Sequence, residues 1–253
     1  FDDASGQIAM SQGYGKSNAT ILTSAGNVNG QAQRQQITVS DFISSGETLA
    51  IPSNIWVWSD SNGTPALTID VPCTIIISGK VIGKGGEGAR VNKGGEATQN
   101  GGSAIKINSG VSNVTIQNLS GAYIGGGGGG GGSGAYNSSG GGGGGAGGGK
   151  GGPSDSVQGG AGGALNAAGA TGGGNYAGSG GGAGGGGSDA WNSGGGGEGG
   201  GGGRILPGTG GTGALRMGSP TGTYLYGGNG GSAIDDSGVT YTLSNSGTIY
   251  GAT

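Results

Sequence analysis

The sequence predicts a mostly irregular, all-β molecule, in which a short β-strand base carries a sandwich of about ten packed polyglycine II helices with loops at their distal ends. Three observations lead there. Glycine supplies 76 of 253 residues, against roughly 7% in an average chain. From Ile37 onward, short segments rich in branched and aromatic residues alternate with Pro, Gly and Asn. A strand-bearing unit then recurs on both sides of the glycine block, as GGSAIKINSGVSNVTIQNLSGAYIG (101–125) and GGSAIDDSGVTYTLSNSGTIYG (230–251).

Composition removes several classes of function. Hydrophobic residues make up 30% of the chain and charged residues 9%, which suits neither a large apolar core nor a charge-swollen coil. Histidine is absent and Cys73 is the single cysteine, so disulfide frameworks, Cys/His zinc sites and histidine-dependent triads are excluded. No cofactor or metal is expected. The net charge of −3 lacks the basic field that phosphate binding needs, which argues against nucleic acid as a partner. No apolar run approaches eighteen residues, so no membrane-inserting helix is expected. The start at Phe1, without methionine, reads as a fragment or a processed product.

Taken in order, residues 1 to about 36 are small and polar, with Ile8, Met10, Ile21 and Leu22 the notable apolar points. They are expected to be extended, or ordered by a partner. ITVSDF, ETLAI, NIWVWS, ALTI and CTIII follow as strands, and no helical periodicity occurs anywhere. Cys73, inside such a run, reads as a small buried hydrophobe. CTIIISGKVIG (73–83) is a third, weaker copy of the repeat. Two domains are expected: 1–64, an extended or β region for attachment or oligomerisation, and 65–253, the base with its glycine-rich part.

Between Gly121 and Gly213 there are 50 glycines in 93 residues. Collagen needs strict Gly-X-Y spacing and abundant proline, and the whole chain has six prolines. Calcium-binding β-rolls need a regular aspartate that these runs lack. A flexible linker is the plainer reading, but the block starts and ends on copies of one strand-bearing unit. Glycine runs in the threefold polyproline II conformation rise about 3.1 Å per residue with no internal hydrogen bonds. Their N–H and C=O groups must therefore pair with neighbouring runs, and only residues without Cβ can pack so closely. Ordering costs about 1–2 kcal/mol per residue, so a single run cannot hold while a cooperative bundle can.

Runs that alternate up and down from a base must come in even numbers between base elements. One far-end turn, ARVNK (89–93), fits between the base strand at 65–78 and the repeat at 103–124. Eight runs fit between the repeats, which places AYNSS (135–139), ALNAA (164–168), SDAWNS (188–193) and ALRMGSPTGTYLY (214–226) at the far end. PSDSVQ, NY and RILP then fall at the near end.

A β base, successive glycine-rich motifs and aromatic-bearing interruptions resemble the receptor-recognising adhesins at the long tail fibre tips of T-even phages, over roughly Ala66 to Thr253. Residues 1–65 do not resemble that family's fibre-attachment region, so the mounting could equally be on another tail fibre or a central tail protein. The resemblance implies a virion protein at an extracellular fibre tip. It implies that the interruptions contact a bacterial surface receptor, an outer-membrane protein first and a glycan second. On that basis the expected contacts are Arg90 and Asn92; Tyr136 and Asn137; Leu165 and Asn166; Asp189, Trp191 and Asn192; Leu215, Arg216 and Met217; and Tyr224 and Tyr226.

Other motifs carry less. Trp56 and Trp58 alternate with Ile55 and Val57, which favours core or fibre-interface packing over receptor contact. Trp191, alone between glycine runs, favours exposed contact, and Tyr224 and Tyr226 can supply rigid amphipathic area or pack within their own loop. Lys150 and the Lys16–Ser17 pair sit in incomplete phosphate-loop patterns and read as accidents of composition. Carboxylate pairs support glycan hydrolysis when suitably spaced. Asp235 and Asp236 are adjacent and so face opposite sides of a strand, while Asp155, Asp189 and Glu198 are isolated, so no catalytic residue is expected. The competing classes are a structural or ice-binding glycine protein, which resembles springtail antifreeze proteins, and a glycan depolymerase.

Overall fold

The computed structural model describes residues 18–28, 31–87, 99–131 and 228–253. Their regular structure is β strand apart from one 3-10 turn at Val39–Asp41. Three strands come first: Thr20–Ile21 (β1), Gly26–Val28 (β2) and Gln31–Gln35 (β3). Ile37–Thr38 (β4), Thr48–Ile51 (β5) and Trp56–Trp58 (β6) make the next turn of chain, and Leu67–Ile69 (β7), Thr74–Ile77 (β8) and Lys80–Ile82 (β9) the one after. Ile105–Ile107 (β10), Thr115–Asn118 (β11) and Tyr123–Gly125 (β12) follow, then Ile234–Asp235 (β13), Thr242–Asn245 (β14) and Thr248–Tyr250 (β15).

These strands form three sheets, ordered β13-β10-β7-β4 (sheet I), β1-β5-β8-β11-β14 (sheet II) and β15-β12-β9-β6-β3-β2 (sheet III). The chain passes from sheet I to II to III and repeats that rotation through β15, so successive coils stack as a three-sided parallel solenoid. Every pairing is parallel except β2 with β3. The registers stack one apolar residue per coil into columns. Ile37, Leu67, Ile105 and Ile234 align in sheet I. Leu49, Ile75, Ile116 and Leu243 align in sheet II, and Val57, Val81, Ile124 and Ile249 in sheet III. All three columns meet in one core, where burying each such side chain is worth about 1.5–3 kcal/mol. Leu243 and Ile249 in the last coil are only half-buried, so the core thins at that end.

The repeats are coils. CTIIISGKVIG spans β8 and β9, and the two longer copies span β10–β12 and β13–β15. GGSAI leads from glycine backbone into a fully buried alanine, Ala104 or Ala233, and then a core isoleucine. SGV carries a left-handed glycine at a turn, Gly110 at φ 84° and Gly238 at φ 77°, which a side chain there would strain. The shared asparagine stacks on itself: fully buried Asn118 donates through Nδ2 to Asn245 Oδ1 at 2.7 Å, in register between β11 and β14.

Residues 18–35 correct the sequence reading, which left everything before Ile37 extended or waiting for a partner. β1 pairs with β5, and β3 pairs with β6. Leu22 is buried in the common core. The Gln-rich β3 lacks an apolar alternation because backbone pairing to an existing sheet edge holds it, not side-chain burial.

One corner of the prism differs from the others. The passage from sheet III to sheet I takes a single residue after β3, Gln36, whose φ is 46°. It takes residues 59–66 after β6, 83–104 after β9 and 126–233 after β12. The two glycine-bearing excursions therefore leave and re-enter the solenoid at the same corner, one coil apart.

Candidate functional site

Four described stretches rise from or return to that corner: 83–87 and 125–131 outward, 99–102 and 228–232 inward. Apart from Gly125, the last residue of β12, none belongs to one of the three sheets, and residues 125–131 are buried along their whole length. Their hydrogen bonds run sideways at intervals of three residues. Gly83 and Gly86 donate to the carbonyls of Gly125 and Gly128, each at 2.8 Å, so the two outward stretches run parallel. Gly127 donates to Gly102 O and Gly130 to Gln99 O, at 2.8 and 3.0 Å, so an inward stretch runs antiparallel to them. Gly231 and Gly228 donate to Gly127 O and Gly130 O, both at 2.7 Å, and bring the other inward stretch alongside. The stretch at 125–131 thus has a bonded neighbour on three sides, and successive peptide groups point to each in turn.

That packing admits no side chain on the facing sides. A Cβ at Gly127 would fall inside contact distance of Lys84 O, one at Gly101 would meet Gly127 O, and one at Gly126 would meet Gly231 O. Each obstructing atom is backbone, which cannot swing aside as a side chain can. Glycine is required here for close approach.

The fourteen contact residues expected from sequence lie outside the described residues, with Arg90 and Asn92 in 88–98 and the others, Trp191 and Tyr224 among them, in 132–227. Lys16, Ser17, Lys150, Asp155, Asp189 and Glu198 also fall outside.

Among the described residues, Trp56, Trp58, Tyr123 and Tyr250 gather on sheet III apart from the main core, while Phe42 and Tyr241 pack against that core. Val57 points into the core while Trp56 and Trp58, on either side of it, point out and are half-buried. They pack with Tyr250 over buried Ile82 and Tyr123 as a small cluster separate from the core. Lys80 Nζ lies 4.5 Å from the centre of the Trp56 ring, and the rings of Tyr123 and Tyr250 are 5.3 Å apart, tilted at 55°. Burial first, and Tyr250 second, push the Tyr123 phenol above its ordinary range. Trp58 Nε1 is buried with no hydrogen-bond partner. The alternation in NIWVWS does imply opposite faces. It does not say which face is inside, since both are apolar.

Nothing among the described residues assembles hydrolytic or metal chemistry. Asp235 faces Lys106 at 3.9 Å across the outer side of sheet I, and its Oδ1 accepts the Ser237 N–H. Asp236 accepts the Gly238 N–H, so both carboxylates close turns. No group of three metal-ligating side chains occurs among the described residues. Cys73 is buried, and burial, with Asp70 second, raises its thiol to about 11, which leaves it protonated and inert at neutral pH.

Comparison with known proteins adds two findings. A family model described as phage tail fibre adhesin Gp38 matches residues 16–253. The chain is also similar to a chain in the crystal structure of the gp37-gp38 adhesin tip complex of the bacteriophage S16 long tail fiber. That similarity is 23% in sequence and covers 82% of this chain and 71% of the other, with a TM-score of 0.47. No curated protein sequence matches.

Proposed function

This chain belongs to the phage tail fibre adhesin Gp38 family, and from that premise we propose that it recognises a bacterial surface receptor through the segments that interrupt its glycine runs. It is a virion protein of the tail fibre, and its place in this reading is the fibre tip. The observation that carries the proposal is the sideways hydrogen bonding of residues 83–87, 99–102, 125–131 and 228–232 at three-residue intervals. A spacing of three is that of the polyproline II helix, and it supports a polyglycine II sandwich of about ten such helices continuing through 132–227. Outward and inward stretches alternate in direction, which supports the placing of ARVNK, AYNSS, ALNAA, SDAWNS and ALRMGSPTGTYLY at the far end.

The mechanism is preorganisation. Loops held on a stiff scaffold lose little further freedom on binding, and their sequences can change without disturbing the backbone lattice beneath. The mixture of aromatic, aliphatic and amide side chains suits an outer-membrane protein, with a glycan second. Contacts of this kind bind without chemistry, in keeping with a non-enzymatic adhesin in which the adjacent carboxylates Asp235 and Asp236 close turns. The mounting partner in this reading is the rest of the tail fibre or a central tail protein. Residues 1–64 face it, and the outer aromatic face of sheet III, which includes Trp56 and Trp58, supplies apolar area for the contact. Residues 65–253 then form the receptor-binding part.

Virions carrying Trp191→Ala or Tyr224→Ala test the reading. Adsorption to the host should fall about tenfold or more, as for a hot-spot aromatic, with the melting temperature of the purified protein unchanged. Normal adsorption by both variants would contradict it.

A further inference from the structure

Asn100 lies where the two returning stretches meet the solenoid, and both of its oxygens are engaged. Its main-chain oxygen accepts a hydrogen bond from Asn62 Nδ2. Its side-chain Oδ1 accepts the Asn229 N–H at 2.8 Å. Asn229 O in turn accepts the Gly101 N–H at 2.8 Å, so Asn100 and Asn229 join the two returning stretches reciprocally. The neighbouring carbonyl, Gln99 O, is already taken by Gly130 N. The carboxamide therefore provides the acceptor that the backbone at this point does not.

Asn62 itself rides on a fixed loop. Fully buried Ser59 donates from Oγ to Thr64 O at 2.6 Å, and accepts the Ser61 N–H and the Gln36 carboxamide, both at 3.0 Å. The loop also rests on Gly102, where an added Cβ would sit 3.0 Å from Asn62 Cα. A polar chain thus crosses the corner from Gln36 through Ser59, Asn62 and Asn100 to Asn229, so that all four passages between sheets III and I contribute, the second with both Ser59 and Asn62.

We infer that Asn100 is a positioning residue: through this chain it sets the register of the returning glycine stretches against the solenoid, and hence the placement of the loops beyond them. The inference rests on the reading that those loops contact the receptor. Asn100 is exposed, so its bonding can be changed without opening the core.

The test compares Asn100→Leu, which keeps the size and loses the acceptor, with Asn100→Asp, which keeps the acceptor. In Asn100→Leu, amide hydrogen exchange at Gly101, Gly127, Gly130, Asn229 and Gly231 should accelerate about tenfold or more, while β8 and β11 stay unchanged. Asn100→Asp should stay within about twofold of the parent protein. Should the leucine variant not fold, Asn62→Ala serves instead, with faster exchange expected at Gly101 and Gly102. Equal exchange in the Leu and Asp variants, or acceleration spread evenly into β8 and β11, overturns the inference. Virions with Asn100→Leu should adsorb several-fold more slowly and those with Asn100→Asp normally. Normal adsorption despite loosened stretches would also overturn the positioning role, and it would leave the receptor-contact reading to the separate Trp191 and Tyr224 variants.

Discussion

A methyl group at Gly127 would be driven into the backbone carbonyl of Lys84, whereas one at Gly46, a turn glycine with φ 85°, would meet nothing within 4 Å. Gly46 stands alone in SSGET and Gly127 lies in a run of eight glycines, and the structure shows what that difference means for their surroundings. Gly127→Ala is expected to cost about 3 kcal/mol or more, because rigid backbone must separate. Gly46→Ala should cost about 1 kcal/mol, from the left-handed conformation alone. Denaturant melts of the two variants check this, and equal midpoints would deny close packing around residue 127. Tyr123 supplies a second prediction at this scale. Its native phenol holds its proton above the ordinary value near 10, so above about pH 10 the unfolded chain binds fewer protons than the native one. The stability it contributes is complete below that pH and declines as pH rises further. Cys73 acts the same way between its ordinary 9.0 and about 11. Between pH 8 and pH 11 the parent protein should lose more stability than Tyr123→Phe, and parallel losses would contradict the buried phenol.

At the scale of strands and coils, Ile116 lies in register between Ile75 and Leu243 and is fully buried, while Leu243 in the last coil is half-buried. Ile116→Ala should therefore cost about 2–5 kcal/mol, and Leu243→Ala clearly less, by equilibrium unfolding. Equal costs would mean that the last coil is covered. Much of this level was legible beforehand. ITV, TLAI, WVW, LTI and TIII stood out as strands because branched and aromatic residues suit a pleated surface, and the two longer repeats marked two coils by their shared turn glycine and asparagine, while CTIIISGKVIG, with Ile77 at the asparagine position, marked part of a third. The rotation through three sheets was not legible. β5 and β6 occupy the same positions as β11 and β12 without GGSAI, SGV or the asparagine, so the earlier coils share geometry but no motif. β3 was missed for a related reason: QAQRQ pairs through its backbone, which leaves no trace in hydrophobic pattern.

For the whole molecule, the solenoid is a base that sends both glycine excursions out from one corner, and the stretches at their roots lock together through peptide groups, with the Asn100 carboxamide as a side-chain link. Glycine abundance announced lateral packing, since extended backbone without side chains has no other way to satisfy its polar groups. The same absence of side chains removes any pattern that could say which stretch bonds to which, so the partners at residues 99, 102, 125 and 128 came only from the structure. The aromatic face of sheet III was half legible, as an alternation without a stated side. The direct test of receptor contact through the loops is amide hydrogen exchange of the intact protein with and without outer-membrane vesicles from a susceptible host. Protection on binding should fall on residues 89–93, 135–139, 164–168, 188–193 and 214–226, with β7–β12 unchanged. Protection confined to the faces of the solenoid, with those five segments unaffected, would contradict the account.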